Sequence, residues 1–246
     1  MERWSGRVAV VTGASSGIGH AVARELVKKG LKVVGLARRA DRIEELAASL
    51  KDSPGKLYAV KTDLSKEEDI MSAFKWVKEN LGGVDVLVNN AGVAIKENLY
   101  DGSVAEWKQM IDVNVLALSI CTKEAIQSMK ERGVDDGHII HINSVAGHYV
   151  IAEIGMYSAT KHAVTVLAES LRRQLTKLNS KIKITNISPG GVRTEMVARA
   201  NIPEEVLKTM TLLEPEDLAE AVVYTLSTPP RVQVHEITIR PVGEKF

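Results

Sequence analysis

The run Val8-Ala9-Val10-Val11-Thr12-Gly13-Ala14-Ser15-Ser16-Gly17-Ile18-Gly19 holds the first strand-to-helix passage of the chain. Val-Ala-Val-Val-Thr is apolar and β-branched with no alternation, the pattern of a strand buried on both faces of a parallel sheet. Glycines then punctuate a turn, and an amphipathic run over 17–29 reads as a helix. At such a helix N-terminus the outward-pointing amides favour a phosphate. Gly13 permits the tight turn, Gly17 lets a pyrophosphate approach the backbone, and Gly19 lets the helix pack close to the strand, with Ser15, Ser16 and Ile18 completing the cradle. Three residues and then one separate the glycines, unlike the Gly-x-Gly-x-x-Gly of many dinucleotide sites.

The same alternation continues outward. Apolar runs near 32–36, 57–61, 84–88, 138–143, 182–188 and 234–239 predict six more strands, and amphipathic stretches near 41–51, 67–80, 104–132, 156–178 and 215–227 predict the helices between them. Right-handed crossovers put those helices on both faces, so the expected fold class is α/β: a doubly wound, mainly parallel sheet of about seven strands in a single domain over 1–246. Only 193–214 breaks the rhythm, with mixed apolar and charged residues after a strand, and it is expected to fold over a pocket as a short lid.

Composition narrows the function. Thirty-two basic against thirty-one acidic side chains give a formal net charge of +1. No long basic run suggests nucleic acid or an anionic membrane, and the expected partner is a small molecule. No segment offers the roughly twenty apolar residues of a membrane span. The single cysteine, Cys121, excludes an internal disulfide framework. The N-terminal Met1-Glu2-Arg3-Trp4-Ser5-Gly6-Arg7 lacks the order of a secretory signal, so the expected location is the cytoplasm.

Two further patterns carry chemistry. The second strand ends in Gly35-Leu36-Ala37-Arg38-Arg39, where an acid would favour NAD by binding the adenosine ribose; two guanidiniums instead match a 2′-phosphate, so NADP is the expected cofactor. Tyr157 and Lys161 lie one helical turn apart on one face. A nearby ammonium lowers a phenol's pKa toward working pH, which would let Tyr157 pass a proton.

Thr62-Asp63-Leu64, Asn89-Asn90-Ala91-Gly92, Asn114, Ser144, Tyr157-x-x-x-Lys161 and Ser188-Pro189-Gly190 occur in that order after the glycine-rich turn. With them the chain resembles the short-chain dehydrogenase/reductase family from about residue 7 to 240. The resemblance implies a Rossmann-type fold and a catalytic set of Asn114, Ser144, Tyr157 and Lys161. In that set Tyr157 is the acid/base, Ser144 steadies the substrate oxygen, Lys161 holds the nicotinamide ribose, and Asn114 anchors a water leading to solvent. It also implies that Asp63 and Leu64 lie near adenine, Asn90, Ala91 and Gly92 against the adenosine half, and Pro189, Gly190, Val192 and Thr194 around the nicotinamide. The Asn89-Asn90 pair has a second reading, as ties between strand ends.

Apolar residues Val93, Ala94, Ile95, Val145, Val150, Ile151, Ile154, Met196 and Val197 are expected to line a pocket for a lipophilic alcohol or ketone. Met1–Trp4, 115–122 and 127–138 sharpen the likeness to the dehydrogenase/reductase member eleven group, which includes insect NADP-dependent farnesol dehydrogenases and vertebrate keto-steroid reductases. An isoprenoid alcohol such as farnesol is the favoured substrate, with keto-steroids or general carbonyls as the alternative and an NADP-binding regulatory protein as the non-enzymatic one. No common zinc spacing joins His141, His148 and His162, and no metal is expected. His148, just beyond Ser144, is the one histidine placed to reach substrate. The long helices near 104–132 and 156–178 carry surplus apolar residues and suggest a homodimer or homotetramer.

Overall fold

Each β-branched run becomes a strand. The computed structural model describes residues 1–198, 205 and 210–244. Its strands are β1 (Val8–Thr12), β2 (Lys32–Ala37), β3 (Lys56–Lys61), β4 (Val86–Asn89), β5 (His138–Ile142), β6 (Lys183–Pro189) and β7 (Glu236–Ile239). They form one sheet in the order β3-β2-β1-β4-β5-β6-β7, every neighbouring pair parallel. Between them run α1 (Gly17–Lys28), α2 (Ala40–Ser49), α3 (Glu67–Leu81), α4 (Val104–Ile111), α5 (Leu118–Glu131), α6 (Gly155–Lys177), α7 (Glu195–Ala198) and α8 (Pro215–Ser227).

The central strands are apolar on both faces because both faces are covered. Ala9 and Val11 of β1 pack with Val22 and Leu26 of α1, Ile43 of α2 and Leu218 of α8, whereas Val8 and Val10 pack with Phe74 of α3, Cys121 and Met129 of α5 and Leu175 of α6. A fully buried Leu26 or Ile140 contributes about 2 kcal/mol of transfer free energy over its exposed state. Trp4 closes one end of the core: its indole nitrogen donates to Leu226 O at 2.7 Å, and the Arg3 and Arg7 guanidiniums lie 4.8 Å from its ring.

β1 sits between β2 and β4, so the chain order reverses there and a crevice opens at the carboxyl ends of the strands. The glycine-rich turn, the loop after β4, Ser144 after β5 and Pro189–Thr194 around the end of β6 all emerge at that edge.

One expectation changes in kind. The helix predicted over 104–132 is interrupted: Asp112–Ala117 forms a π-helical stretch between α4 and α5, with Asn114 inside it. A π turn takes one more residue than an α turn, and such insertions gather at functional sites. Of the predicted lid 193–214, positions 199–204 and 206–209 lie outside the described residues; the described part holds α7, and Val192 bridges to Leu213 beside it. Among the described residues, no helix is long and apolar enough to cross a membrane.

Candidate active site

The glycine-rich turn has the geometry its sequence implies. Gly13 and Gly17 have φ of 69° and 54°, left-handed values that favour glycine. A Cβ on Gly13 would lie 2.9 Å from Asn90 Nδ2 and 3.0 Å from Ala91 Cα, and one on Gly19 would lie 2.5 Å from Gly13 O, so loop, helix and strand end are in closest possible approach. α1 has no acidic residue in its first turn to occupy its amides. Ser15 is buried and Ser16 caps the helix from an extended conformation.

Asn90 fastens the loop after β4 to β1. Its backbone N–H donates to Thr12 Oγ1 at 2.9 Å, its side-chain amide donates to Thr12 O at 2.9 Å, and Ala91 N–H donates to Thr12 Oγ1 at 3.0 Å. Asn89 turns inward, donating to Thr122 Oγ1 at 2.9 Å and lying 3.2 Å from His141 Nδ1. The tying reading of this pair therefore holds for both side chains. Thr12 is a partner that the sequence did not single out.

The two arginines after β2 differ. Arg39 is committed: one nitrogen donates to Ser16 Oγ at 3.1 Å and another to Glu195 of α7 at 3.0 Å, while Arg42 of α2 donates to the other Glu195 oxygen at 2.5 Å. Arg38 is exposed, and its charge acts on Asp63. Asp63 accepts from the Ser65 hydroxyl at 2.8 Å and the Ser65 N–H at 3.1 Å, and these bonds, more than Arg38, hold its carboxyl below the usual range. Leu64 is buried beside Thr12, Asn89, Ala91 and Cys121 around a gap too small to admit water. A larger cleft of about 660 Å³ lies along the outer side of the glycine-rich turn, between α1, α2, Thr194, Glu195 and Pro215, and does not reach Tyr157.

The four residues of the expected catalytic set come together at the other end of the crevice. Ser144 begins a single 3-10 turn over Val145–Gly147, its hydroxyl accepting from Ala146 N–H at 3.1 Å, and it shares a hydrogen bond with the Tyr157 hydroxyl. Tyr157 and Lys161 lie in the first turns of α6. Lys161 Nζ donates to Ile142 O at 3.0 Å and lies 5.7 Å from the centre of the tyrosine ring. Asn114 links both sides of the site: its amide donates to Val93 O at 2.9 Å and Thr160 Oγ1 at 3.0 Å, and its Oδ1 accepts from Val93 N–H at 2.8 Å. A Cβ on Gly92 would stand 3.4 Å from Asn114 Oδ1 and 3.9 Å from Lys161 Nζ, which places Gly92 at the wall of this chamber.

The electrostatics differ from the sequence expectation. Burial pushes the Tyr157 phenol up to about 12, opposed by the Ser144 hydrogen bond, and burial pushes Lys161 down to about 8. Desolvation dominates at each group, and the ammonium, 5.7 Å from the ring centre, does not reverse the direction of the phenol's shift. The Lys161 charge does add to the burial that holds His141 down at about 4.

Beside Tyr157, the residues Val93, Ala94, Ile95, Ile151 and Ile154 gather as expected, joined by Trp107, Met110 and Met156, which the sequence reading left out. Val145 is buried, whereas Val150 is largely exposed. His148 does not join them. Its Nε2 lies 3.2 Å from Ser188 Oγ and 3.1 Å from Glu236 Oε1, which ties it to β6 and β7. His162 Nδ1 lies 2.8 Å from Ser158 O within its own helix, and among the described residues no three His, Cys, Asp or Glu side chains group as metal ligands. After β6, Gly190 N–H donates to Ile239 O at 2.8 Å, Val192 is buried, and Thr194 Cγ2 is 3.0 Å from where a Gly17 Cβ would stand, so Pro189–Thr194 closes over the glycine-rich turn.

Comparison with known proteins agrees with this arrangement. The chain is 54% identical over 251 residues to farnesol dehydrogenase of Aedes aegypti, covering 100% of both chains. It is 56% identical over 253 residues to dehydrogenase/reductase SDR family member 11 of Bos taurus, covering 99% of each. Among solved structures it resembles an alcohol dehydrogenase from the archaeon Thermococcus sibiricus complexed with 5-hydroxy-NADP (TM-score 0.86, 32% identity, 97% of this chain and 98% of that one). The closed form of serine dehydrogenase complexed with NADP+ is similarly close (TM-score 0.88, 32% identity, 97% and 96%). So is 3-ketoacyl-(acyl-carrier-protein) reductase from Brucella melitensis complexed with NADH (TM-score 0.84, 28% identity, 96% and 98%). A family model described as short chain dehydrogenase matches residues 7–205, and with the parallel sheet, the glycine-rich turn and the clustered Ser144, Tyr157 and Lys161 this establishes that the chain belongs to the short-chain dehydrogenase family.

Proposed function

We propose that this chain is an NADP(H)-dependent oxidoreductase that interconverts a lipophilic alcohol and its carbonyl, with Tyr157 as the acid/base. The observation that carries the reading is the meeting of the Tyr157 and Ser144 hydroxyls beside an apolar wall, with Lys161 buried behind them. A dinucleotide fits the residues present: Gly13 and Gly17 bring a left-handed backbone without a Cβ to the turn, and the first turn of α1 holds no acid to repel a phosphate. When bound, the nicotinamide supplies or accepts the hydride.

The chain's own residues supply orientation and the proton. Ser144 and Tyr157 hold the substrate oxygen between them, and Tyr157 gives it a proton in reduction and takes one in oxidation. Lys161 holds the ribose hydroxyls, and a water beside Asn114 continues its path to solvent. Asn114 has a second task, since it locks Val93 to Thr160 and so holds the apolar wall against the helix of Tyr157 and Lys161. Pro189, Gly190, Val192 and Thr194 enclose the nicotinamide, Ala91 borders the adenosine half, and Gly92 borders the chamber of Asn114 and Lys161.

The fold accepts either dinucleotide, so the preference for NADP rests on charge after β2. Arg38 receives the 2′-phosphate, with Arg39 beside it held against Ser16 and Glu195. Arg38→Ala lowers the NADP-to-NAD ratio of kcat/KM by about tenfold or more, the weight of a charge-assisted hydrogen bond. An unchanged ratio removes Arg38 from the cofactor site.

The favoured substrate is an isoprenoid alcohol such as farnesol. An apolar wall of Val93, Ile95, Trp107, Ile151, Ile154 and Met156 suits a long hydrocarbon, and the 54% identical relative carries that name. The test is a panel of isoprenols of about C10 to C20, keto-steroids and sugar alcohols, followed with NADP(H) at about 340 nm. Turnover concentrated on the isoprenols or the steroids is expected; turnover confined to the sugar alcohols refutes the lipophilic assignment. Exposed Ile111, Leu116 and Val166 along α4, the π stretch and α6 support assembly as a homodimer or homotetramer.

A further inference from the structure

The turn after β6 is fastened from behind by the far end of the chain. Gly190 N–H donates to Ile239 O of β7, Gly191 O accepts from Leu213 N–H at 2.8 Å, and Gly191 N–H donates to Glu244 Oε1 at 2.9 Å. The second Glu244 oxygen accepts from Arg240 Nε at 2.5 Å, and the carboxylate-bearing side chain is only 4% exposed. Pro241 O accepts from Glu244 N–H at 3.2 Å and Gly243 is left-handed, so the tail folds back beneath β6. A Cβ on Gly190 would lie 2.5 Å from Glu244 Oε1. The carboxylate therefore occupies the space that any side chain at position 190 would need. Glycine at 190 and glutamate at 244 are matched in shape.

This turn stands at the reacting end of the crevice. β6 is paired with β5, Ser144 lies two residues past the end of β5, and Arg38 follows β2 on the far side of β1. A peptide N–H bonded to a buried, ion-paired carboxylate is held far more firmly than one bonded to water, because letting go would leave both the N–H and the charge without a partner. We infer that Glu244 is a positioning residue for the nicotinamide half of the cofactor site, fixing the Gly190–Gly191 peptide from behind; the inference rests on the cofactor reading above. Glu244 touches neither cofactor nor substrate. It sets the orientation of the backbone that does.

The test uses the full-length chain with E244A, E244Q and G190A. Each is measured for the NADPH dissociation constant, the 2′,5′-ADP dissociation constant, thermal unfolding and amide exchange at Gly191. Glu244→Ala is expected to weaken NADPH by about tenfold while 2′,5′-ADP, which has no nicotinamide, binds as before, and the Gly191 amide exchanges faster. Glu244→Gln keeps an acceptor oxygen and recovers most of the NADPH affinity. Gly190→Ala, which pushes the carboxylate aside, reproduces the E244A pattern. Equal loss of NADPH and 2′,5′-ADP in E244A, or loss of neither, overturns the inference. If the unaltered chain binds neither ligand, the cofactor reading fails and the inference falls with it; a failure of the inference alone leaves the unaltered chain binding both.

Discussion

Tyr157→Phe keeps its fold and its NADPH binding and loses turnover by about a thousandfold or more. General acid/base catalysis by one positioned group is worth about 10² to 10⁴, and the substitution removes the atom proposed to carry the proton. It removes little else. The ring stays in the apolar cluster with Met110 and Ala146, and the lost hydroxyl frees one hydrogen bond with Ser144, a stability change of about 1 kcal/mol. The direction of the phenol's shift adds a pH signature. Burial holds it up near 12, so in the unaltered enzyme the proton donor for reduction persists across pH 6–9 and the reductive rate stays level, while alcohol oxidation, which needs the phenolate, climbs with pH. Stopped-flow single turnover at saturating NADPH separates chemistry from binding. Full turnover in the Phe variant, or weakened NADPH binding that accounts for the whole loss, would sink the assignment of Tyr157.

Lys161→Met is expected to lose at least about a hundredfold in turnover while its unfolding temperature rises by about 2–4 °C. The ammonium is nearly enclosed, and its described hydrogen-bond partner is the Ile142 carbonyl. Its pKa is pushed down from 10.5 to about 8 because the charged form is poorly solvated there. Methionine fills similar volume without the charge. The sign of the linkage is fixed: between about pH 8 and 10.5 the unfolded chain binds the lysine proton and the folded chain does not, so native stability rises with pH through that window. The methionine variant lacks that rise. Thermal unfolding from pH 7 to 10.5, in parallel with kcat, checks both. A lower unfolding temperature that tracks the loss of activity would make Lys161 a structural lysine.

The fold was legible where local chemistry and final structure coincide. The β-branched runs at Val8, Lys32 and His138 begin strands at the predicted residue, and the 17–29 and 215–227 helices end within a residue of expectation, because propensity, burial and turn glycines all favour one answer. That Tyr157 and Lys161 share one face was legible from spacing, since one helical turn brings them together wherever the helix goes, but their role was legible only with the motifs around them.

What was hidden depends on the third dimension. A π stretch adds one residue to a turn without disturbing the apolar pattern on either side, so 104–132 reads as one helix. The Glu244–Gly191 bond joins residues 53 apart, and a single glutamate in a polar tail carries no periodic signal. Arg39 reads from the sequence as a partner of a 2′-phosphate and Arg42 carries no signal of its own, and only folding sets Glu195 opposite both. The direction of the Tyr157 shift was misjudged for a related reason: spacing reveals a neighbouring charge, but depth of burial is a property of the whole chain.

The surplus residue within Asp112–Ala117 divides the molecule's tolerance for changes of length. Loops rimming the crevice accept insertions at little thermodynamic cost, since closure entropy grows slowly. Excising one residue from that bulged coil would regularise the backbone and rotate everything beyond it by about 100°. Asn114 would then swing off Val93 and Thr160. Here a tidier helix is a disabled one, and drift in length is confined to the rim.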